Sequence, residues 1–117
     1  MQDIDLHVRD ELFEKIDVKT DQLCCYLNRN NDIQVNGSLI KLSQKGEGES
    51  ISIKANLCDE NGCILYVLRD FSNLKFDVLP YATFSIYCAD ISRFFDKKRL
   101  HYVELYPYVL CENEVTI

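Results

Sequence analysis

Apolar and polar residues alternate along much of the chain, which is the pattern of β-strands with one buried face. The alternation is most regular over residues 51–57, where four apolar residues share one side of an extended chain: Ile51, Ile53, Ala55 and Leu57. Residues 59–62 read Asp-Glu-Asn-Gly, which are turn-forming types, and an apolar run follows them. The sequence therefore predicts a hairpin over residues 51–68, with Gly62 free to adopt a positive φ.

The same alternation predicts further strands on both sides of this hairpin. They fall near residues 16–27, 33–42, 74–78, 84–88 and 100–111. Asn36-Gly37 interrupts the second of these stretches, and either a hairpin or a bulge within one long strand explains the interruption. Pro107 lies in the last stretch and favours an edge strand, because proline has no N–H for a central ladder.

Helical patterns are short. Leu12, Phe13 and Ile16 share one face of a helical turn that begins after Asp10. A second helical turn is predicted over residues 91–95, with Asp90 as a capping residue at its start.

Seven or eight short strands without long helices between them predict an all-β fold. We expect an immunoglobulin-like two-sheet antiparallel sandwich with one or two short helical turns. The chain has no tryptophan, which excludes the antibody type of core. Residues 1–117 are expected to form a single domain, in which residues 1–15 are a short helical or loosely ordered segment.

Charge and chain pattern narrow the classes of partner. A net charge of −6 repels phosphate backbones, so we expect no nucleic acid partner. No apolar run has the length of a membrane-spanning helix, and the first residues lack the cationic and apolar stretches of a signal peptide. These features predict no membrane association and a cytoplasmic location, or an exported or envelope location if the chain is part of a longer protein.

The six cysteines favour the same location. Cys24 and Cys25 are adjacent and most of the others fall in predicted strands, which favours reduced thiols that pack as small apolar residues. Cys58 and Cys63 flank the hairpin turn with a spacing that is wrong for a zinc knuckle, so we expect no metal. A cross-strand disulfide between these two residues is the alternative.

Part of the chain resembles a known family. Residues 53–65 read Ile-Lys-Ala-Asn-Leu-Cys-Asp-Glu-Asn-Gly-Cys-Ile-Leu, and Leu79-Pro80 is followed by Phe84. Together with Val35-Asn36-Gly37, these segments resemble the FxLYD type of bacterial immunoglobulin-like domain over about half of the chain. The resemblance implies the sandwich fold and brings no catalytic residues or cofactor with it. The chain departs from the family at Ala55, Cys58 and Tyr81, where the family has Phe, Tyr and Gly.

The sequence offers no catalytic candidates. His7 and His101 are its two histidines, and neither lies in a local pattern with a Cys or Ser nucleophile. No glycine-rich phosphate loop and no nucleophile elbow occur. We therefore expect no enzyme activity and no cofactor.

Three tyrosines are the candidate binding residues. Tyr102, Tyr106 and Tyr108 fall on alternate positions and would share one face of a strand, where they pack in the core or anchor a partner. The sequence therefore predicts a non-catalytic protein-interaction or structural domain, whose partner is another protein or a second copy bound through a sheet edge. The alternative is a carbohydrate-binding module.

Overall fold

The chain folds as the predicted all-β sandwich of two sheets in a computed structural model that describes residues 1–42, 50–70 and 81–110. The described residues form eight strands, β1 (Gln2–Asp3), β2 (Asp5–Val8), β3 (Val18–Leu27), β4 (Ile33–Lys41), β5 (Ser50–Cys58), β6 (Ile64–Arg69), β7 (Tyr81–Cys88) and β8 (Tyr102–Leu110). The helix α1 spans Asp10–Lys15, and two short 3-10 helices span Ile91–Arg93 and Lys97–Arg99.

The strands form two four-stranded sheets. Sheet A has the order β1-β3-β4-β7, and sheet B has the order β2-β8-β5-β6. The described pairs are antiparallel except β2 and β8, which run parallel. No helix in the described ranges is long and apolar enough to cross a bilayer.

The core lies between the sheets and follows the predicted alternation. The inward side chains of β5 are almost completely buried, as the sequence predicted: Ile51, Ile53, Ala55 and Leu57. On β4 the same is true of Ile33, Val35 and Leu39. Phe13 of the predicted helix α1 is also buried and joins this core, which explains why a helix of six residues is held in place.

The predicted hairpin over residues 51–68 is confirmed as the pair β5 and β6. Asp59 organises its turn, because Oδ1 of Asp59 accepts hydrogen bonds from the backbone N–H groups of Asn61 and Cys63, both at 2.9 Å. Gly62 has a φ of 82° and donates its N–H to the carbonyl of Asp59 at 3.1 Å. A residue with a Cβ would be strained at that φ.

Asn36-Gly37 forms neither of the two predicted features. Strand β4 runs through it without interruption, and the bulge lies on the neighbouring strand β3, where Gln22 and Leu23 lie opposite Gly37. A Cβ atom at Gly37 would lie 2.8 Å from Cζ of Phe84 and would also overlap the side chain of Leu23. The glycine is therefore required for the close approach of these two apolar side chains.

The prediction that β8 is an edge strand was wrong, since β8 lies between β2 and β5. Pro107 is tolerated because the β2 ladder ends at Leu105, before it reaches the proline. Ile53 pairs with Pro107, and the carbonyl of Ile53 accepts a hydrogen bond from the Asp70 N–H at 2.8 Å. The backbone N–H and C=O of Ile53 therefore face β6. The nitrogen of Pro107 therefore points away from β5, and no hydrogen bond of that ladder is lost.

Three other segments differ from the sequence pattern or lie outside its test: the N-terminal residues and the segments on either side of β7. Strands β1 and β2 lie in the N-terminal segment that was expected to be helical or loosely ordered, and they add one strand to each sheet. The helical turn covers Ile91–Arg93, and Asp90 makes no side-chain cap there but accepts a hydrogen bond from the Ser92 hydroxyl. The predicted strand over residues 74–78 lies outside the described residues.

Candidate functional site

The three candidate tyrosines lie on the outer face of sheet B. Strand β8 directs Val103 and Leu105 into the core, so the alternate residues Tyr102, Tyr106 and Tyr108 face away from it. Tyr102 and Tyr106 are half-buried, and Tyr108 is 44% exposed. We call these three residues the tyrosine face. Packing between the two sheets is therefore not the role of these rings.

Tyr102 is fixed at one end of the tyrosine face. The ring of His7, on β2, stacks on it with centroids 4.1 Å apart and an interplanar angle of 16°. Partial desolvation, followed by the hydrogen bond with the Cys58 thiol, raises the pKa of Tyr102. Burial likewise raises the pKa of Cys58, so the thiol is held in its neutral form beside the ring.

A polar network lies beneath the middle of the tyrosine face. Asn56 is only 5% exposed, and its Nδ2 donates to Oε1 of Glu104 at 3.1 Å. The Tyr106 hydroxyl donates to Oδ1 of Asn56 at 3.5 Å, and Nη1 of Arg9 lies 3.7 Å from Oε2 of Glu104. The buried amide therefore has partners for both of its polar groups, which holds Tyr106 over the sheet.

The other end of the tyrosine face is cationic. Nζ of Lys54 lies 4.2 Å from the centroid of the Tyr108 ring, within the range of a cation–π contact. Lys54 pairs with Arg69 of β6, and the neighbouring Val67 is 44% exposed on the same face. We call Lys54, Val67, Arg69 and Tyr108 the cationic corner. It presents two positive charges, an aromatic ring and an aliphatic side chain from a chain whose net charge is −6.

Acid–base or metal chemistry has no assembled group in the part of the chain that the structure describes. Neither histidine is hydrogen-bonded to a Cys or Ser side chain there. Among those same residues, no three His, Cys, Asp or Glu side chains are grouped so that they could hold a metal ion. The five described cysteines are free, as predicted, so Cys58 and Cys63 do not form the alternative disulfide. Cys111 lies outside the described residues.

Alternation along the sequence predicts the position of the tyrosines but not that of the residues around them. Alternation along β5 already places Lys54 and Asn56 on the outer side, opposite the core residue Ile53. What it lacks is the register that sets Lys54 beside Tyr106 and Arg69, and the presence of a strand that carries His7. Pairing between distant strands supplies both.

Comparison with known proteins gives no match: no family model, curated protein or solved structure is similar to this chain. The resemblance to FxLYD-type domains rests on the sequence motif of residues 53–65 and its flanking segments. The geometry of the two sheets is therefore what points to a function.

Proposed function

We propose that the chain is a non-catalytic protein-interaction domain that binds another protein through the tyrosine face of sheet B. The observation that carries the proposal is the cationic corner, where the half-exposed ring of Tyr108 lies under the ammonium group of Lys54. Aromatic and arginine side chains dominate the binding energy of many protein interfaces, and here Tyr108 and Arg69 provide one of each on the same face.

The charge of the corner defines the partner. Lys54 and Arg69 are neighbours across β5 and β6, and on the described part of that face they adjoin the uncharged Val67 and Tyr108. A segment with acidic side chains beside an aromatic or aliphatic residue would complement both properties. We propose such a segment, from another protein, as the partner.

Strand β6 offers a route for this contact. Among the described strands it pairs only with β5, so its second edge has backbone groups available to an added strand. A strand added along β6 would pass next to Val67 and Arg69, which belong to the cationic corner. Addition of a second copy of the chain at the same edge is the form that self-association would take.

Two further assignments belong to this proposal. The immunoglobulin-like affiliation is supported by the two four-stranded sheets and by the Asp59–Gly62 turn of the resembling motif. A reducing compartment such as the cytoplasm is supported by the five free cysteines, of which Cys24 and Cys63 are exposed.

The test compares affinity capture from the source cells by the tagged chain and its variants. We expect the wild type to capture a partner protein. The captured amount should fall about tenfold or more in the double variant Tyr106→Ser with Tyr108→Ser, and also in Lys54→Ala. Tyr87→Ser is the matched control, because Tyr87 is similarly exposed but lies on sheet A. Melting temperatures should stay within about 2 °C of the wild type for Lys54→Ala and the control.

Two results would contradict the proposal. One is equal capture by the wild type and by Lys54→Ala, which removes the cation without disturbing the core. The other is a loss of capture in Tyr87→Ser that equals the loss in the tyrosine double variant, since that would place the interface elsewhere. If the double variant unfolds, Tyr108→Ser alone gives the same comparison, because Tyr108 is the most exposed of the three rings.

A further inference from the structure

The outer face of sheet A presents a different set of side chains. Between Tyr81 and Tyr87, strands β4 and β7 direct five small or medium polar residues outward, none of them charged: Gln34, Asn36, Ser38, Thr83 and Ser85. In a chain of which 27% of the residues are charged, such an uncharged row on two paired strands sets this surface apart. On the adjoining strand β3, Asp21 pairs with Ser38 and Lys19 pairs with Ile40, so one acidic and one basic residue border the row.

Hydrogen bonds hold these side chains in defined orientations. The Tyr26 hydroxyl donates to Oε1 of Gln34 at 2.9 Å, which directs Nε2 of Gln34 toward Oγ of Ser85 at 3.1 Å. The Ser85 hydroxyl in turn donates to Oδ1 of Asn36 at 2.7 Å. Nε2 of Gln34 also donates to Oδ1 of Asn36 at 3.2 Å, and Nδ2 of Asn36 donates to Sγ of Cys24 at 3.8 Å. Each of the three side chains then retains one donor or acceptor position for a ligand: a lone pair on Gln34 Oε1, an N–H of Asn36 and a lone pair on Ser85.

A depression lies in the middle of the face. It has a volume of about 550 Å³, and Gly37 and Phe84 line it together with the side chains around them, Gln22, Asn36, Ser38, Thr83 and Ser85. The small size of the outward side chains of Ser38 and Ser85 keeps the depression open. We call this depression and the two tyrosines at its ends the sheet A trough.

Exposed aromatic rings stand at both ends of the trough. Tyr81 is 52% exposed and Tyr87 is 58% exposed. They lie six positions apart on an extended strand, which corresponds to roughly 20 Å. A hydrogen bond to Asp32 raises the pKa of Tyr87, so its hydroxyl is anchored while its ring faces solvent. The trough is therefore long enough for an extended ligand and has a ring to stack on at each end.

We propose that the sheet A trough binds a neutral, unbranched oligosaccharide. Sugar hydroxyls both donate and accept hydrogen bonds, as do the amides and hydroxyls of Gln34, Asn36 and Ser85. The apolar faces of pyranose rings stack on exposed tyrosines. The row itself is uncharged, and the two charged residues that border it on β3, Asp21 and Lys19, have opposite signs. On a chain of net charge −6, such a face disfavours an anionic ligand.

This site is separate from the tyrosine face, since the two lie on opposite outer surfaces of the sandwich. Native gel electrophoresis of the full chain in gels containing a polysaccharide tests it. The neutral panel is hydroxyethylcellulose, soluble starch, a linear β-1,3-glucan and a linear mannan, and the anionic panel is polygalacturonate and heparin. We expect retardation by at least one neutral polysaccharide and by neither anionic one.

The variants locate the binding. Tyr87→Ser and Tyr81→Ser should each weaken the retardation about tenfold, as the loss of a stacking platform predicts. Gln34→Ala should weaken it severalfold, whereas Tyr108→Ser on sheet B should leave it unchanged. If one tyrosine variant fails to fold, the variant at the other end of the trough provides the same measurement.

Three results would overturn the proposal. The first is a wild-type chain that no neutral polysaccharide of the panel retards. The second is retardation that Tyr81→Ser and Tyr87→Ser leave intact while both remain folded. The third is retardation by the anionic polysaccharides alone. Loss of a captured protein in these two variants, with no polysaccharide bound by the wild type, would identify the face as a protein interface instead.

Discussion

The outer faces of the two sheets differ although their inner faces are alike. Both sheets contribute buried aliphatic side chains to one core, whereas outside it sheet A carries amides and hydroxyls and sheet B carries tyrosines beside charges. Folding constrains only the inward half of each alternating strand. The outward residues are free to differ, and in this chain they are mostly uncharged and polar on sheet A but aromatic and charged on sheet B.

The two faces also differ in how deeply the sheet itself is covered. On sheet B the outward residues Ser52, Asn56 and Cys58 are buried, because the larger side chains of neighbouring strands lie over them. On sheet A the outward residues of β4 and β7 all keep contact with solvent, and tyrosines stand at the ends of the row. On sheet B, large side chains thus cover the small outward residues of the central strand, whereas on sheet A the corresponding residues are open to solvent and form the trough.

Substitutions in the shared core should lower the free energy of unfolding most. Ile53→Asp is expected to unfold the domain, with a loss of about 4 kcal/mol or more, because it would bury an unpaired carboxylate at a fully buried position. Lys54→Asp, on the next residue of β5 and on its outer side, is the matched control and should keep a cooperative melt. Chemical denaturation of both variants measures the difference. Equal stability of the two would disprove the assignment of inner and outer sides.

Sheet A depends on a residue without a side chain. Gly37→Ala should cost about 1–3 kcal/mol, because the added methyl would overlap Leu23 and the ring of Phe84. Ser38→Ala, one residue later and facing outward, should change the free energy of unfolding by less than about 0.5 kcal/mol. Urea denaturation of both variants is the measurement. A neutral Gly37→Ala would mean that Leu23 lies elsewhere.

The tyrosine face should divide into a structural end and a binding end. Tyr102→Ser should lower the free energy of unfolding by about 1–2 kcal/mol, because it removes the stack with His7 and the hydrogen bond with Cys58. Tyr108→Ser should lower it by less than about 0.5 kcal/mol, since a half-exposed ring loses little packing. Thermal denaturation separates the two variants, and the reverse order would contradict this division.

The smallest effect concerns pH and the end of the sheet A trough. Hydrogen bonds from the Asn28 side chain, the Asp90 N–H and Tyr87 hold the pKa of Asp32 below its ordinary value of 3.8. The stability that this carboxylate contributes is present above that ordinary value and is lost as the pH falls through the lower pKa of the folded state.

Asp32→Asn should remove that contribution. The wild type should therefore be the more stable protein at pH 7, and the difference should shrink below about pH 4. Free energies of unfolding measured from pH 7 to pH 3 provide the check, with Asp21→Asn as the control for an exposed acid of the same sheet. A difference that is constant with pH would mean that the carboxylate charge plays no part.

Local patterns in the sequence predicted the elements that are stabilised locally. The β5–β6 hairpin follows from alternation and the Asp59–Gly62 turn, and α1 follows from the spacing of Leu12, Phe13 and Ile16. The errors came from pairing between distant segments. Strand β2 is a strand because β8 lies beside it, and without β2 the sequence made Pro107 look like an edge residue.

For the candidate sites, too, local sequence patterns predict what lies on one strand but not what several strands bring together. One strand carries Tyr102, Tyr106 and Tyr108, so alternation was enough to put them on one face. The cationic corner and the trough each combine several strands, whose register depends on the bulge opposite Gly37 and on core packing across the sheets. Such arrangements are set by tertiary structure, and no short stretch of sequence contains them.

The parallel pairing of β2 with β8 has a consequence for how the chain is made. Ile4 donates its N–H to the carbonyl of Cys25 in sheet A, whereas the next residue, Asp5, pairs with Tyr102 of sheet B. The first residues therefore connect the two sheets. Tyr102 belongs to β8, which is the last of the described strands to be synthesised, whereas β2 is the second. The sandwich therefore closes only after β8 has been made, and this step is a long-range, intrinsically slow pairing.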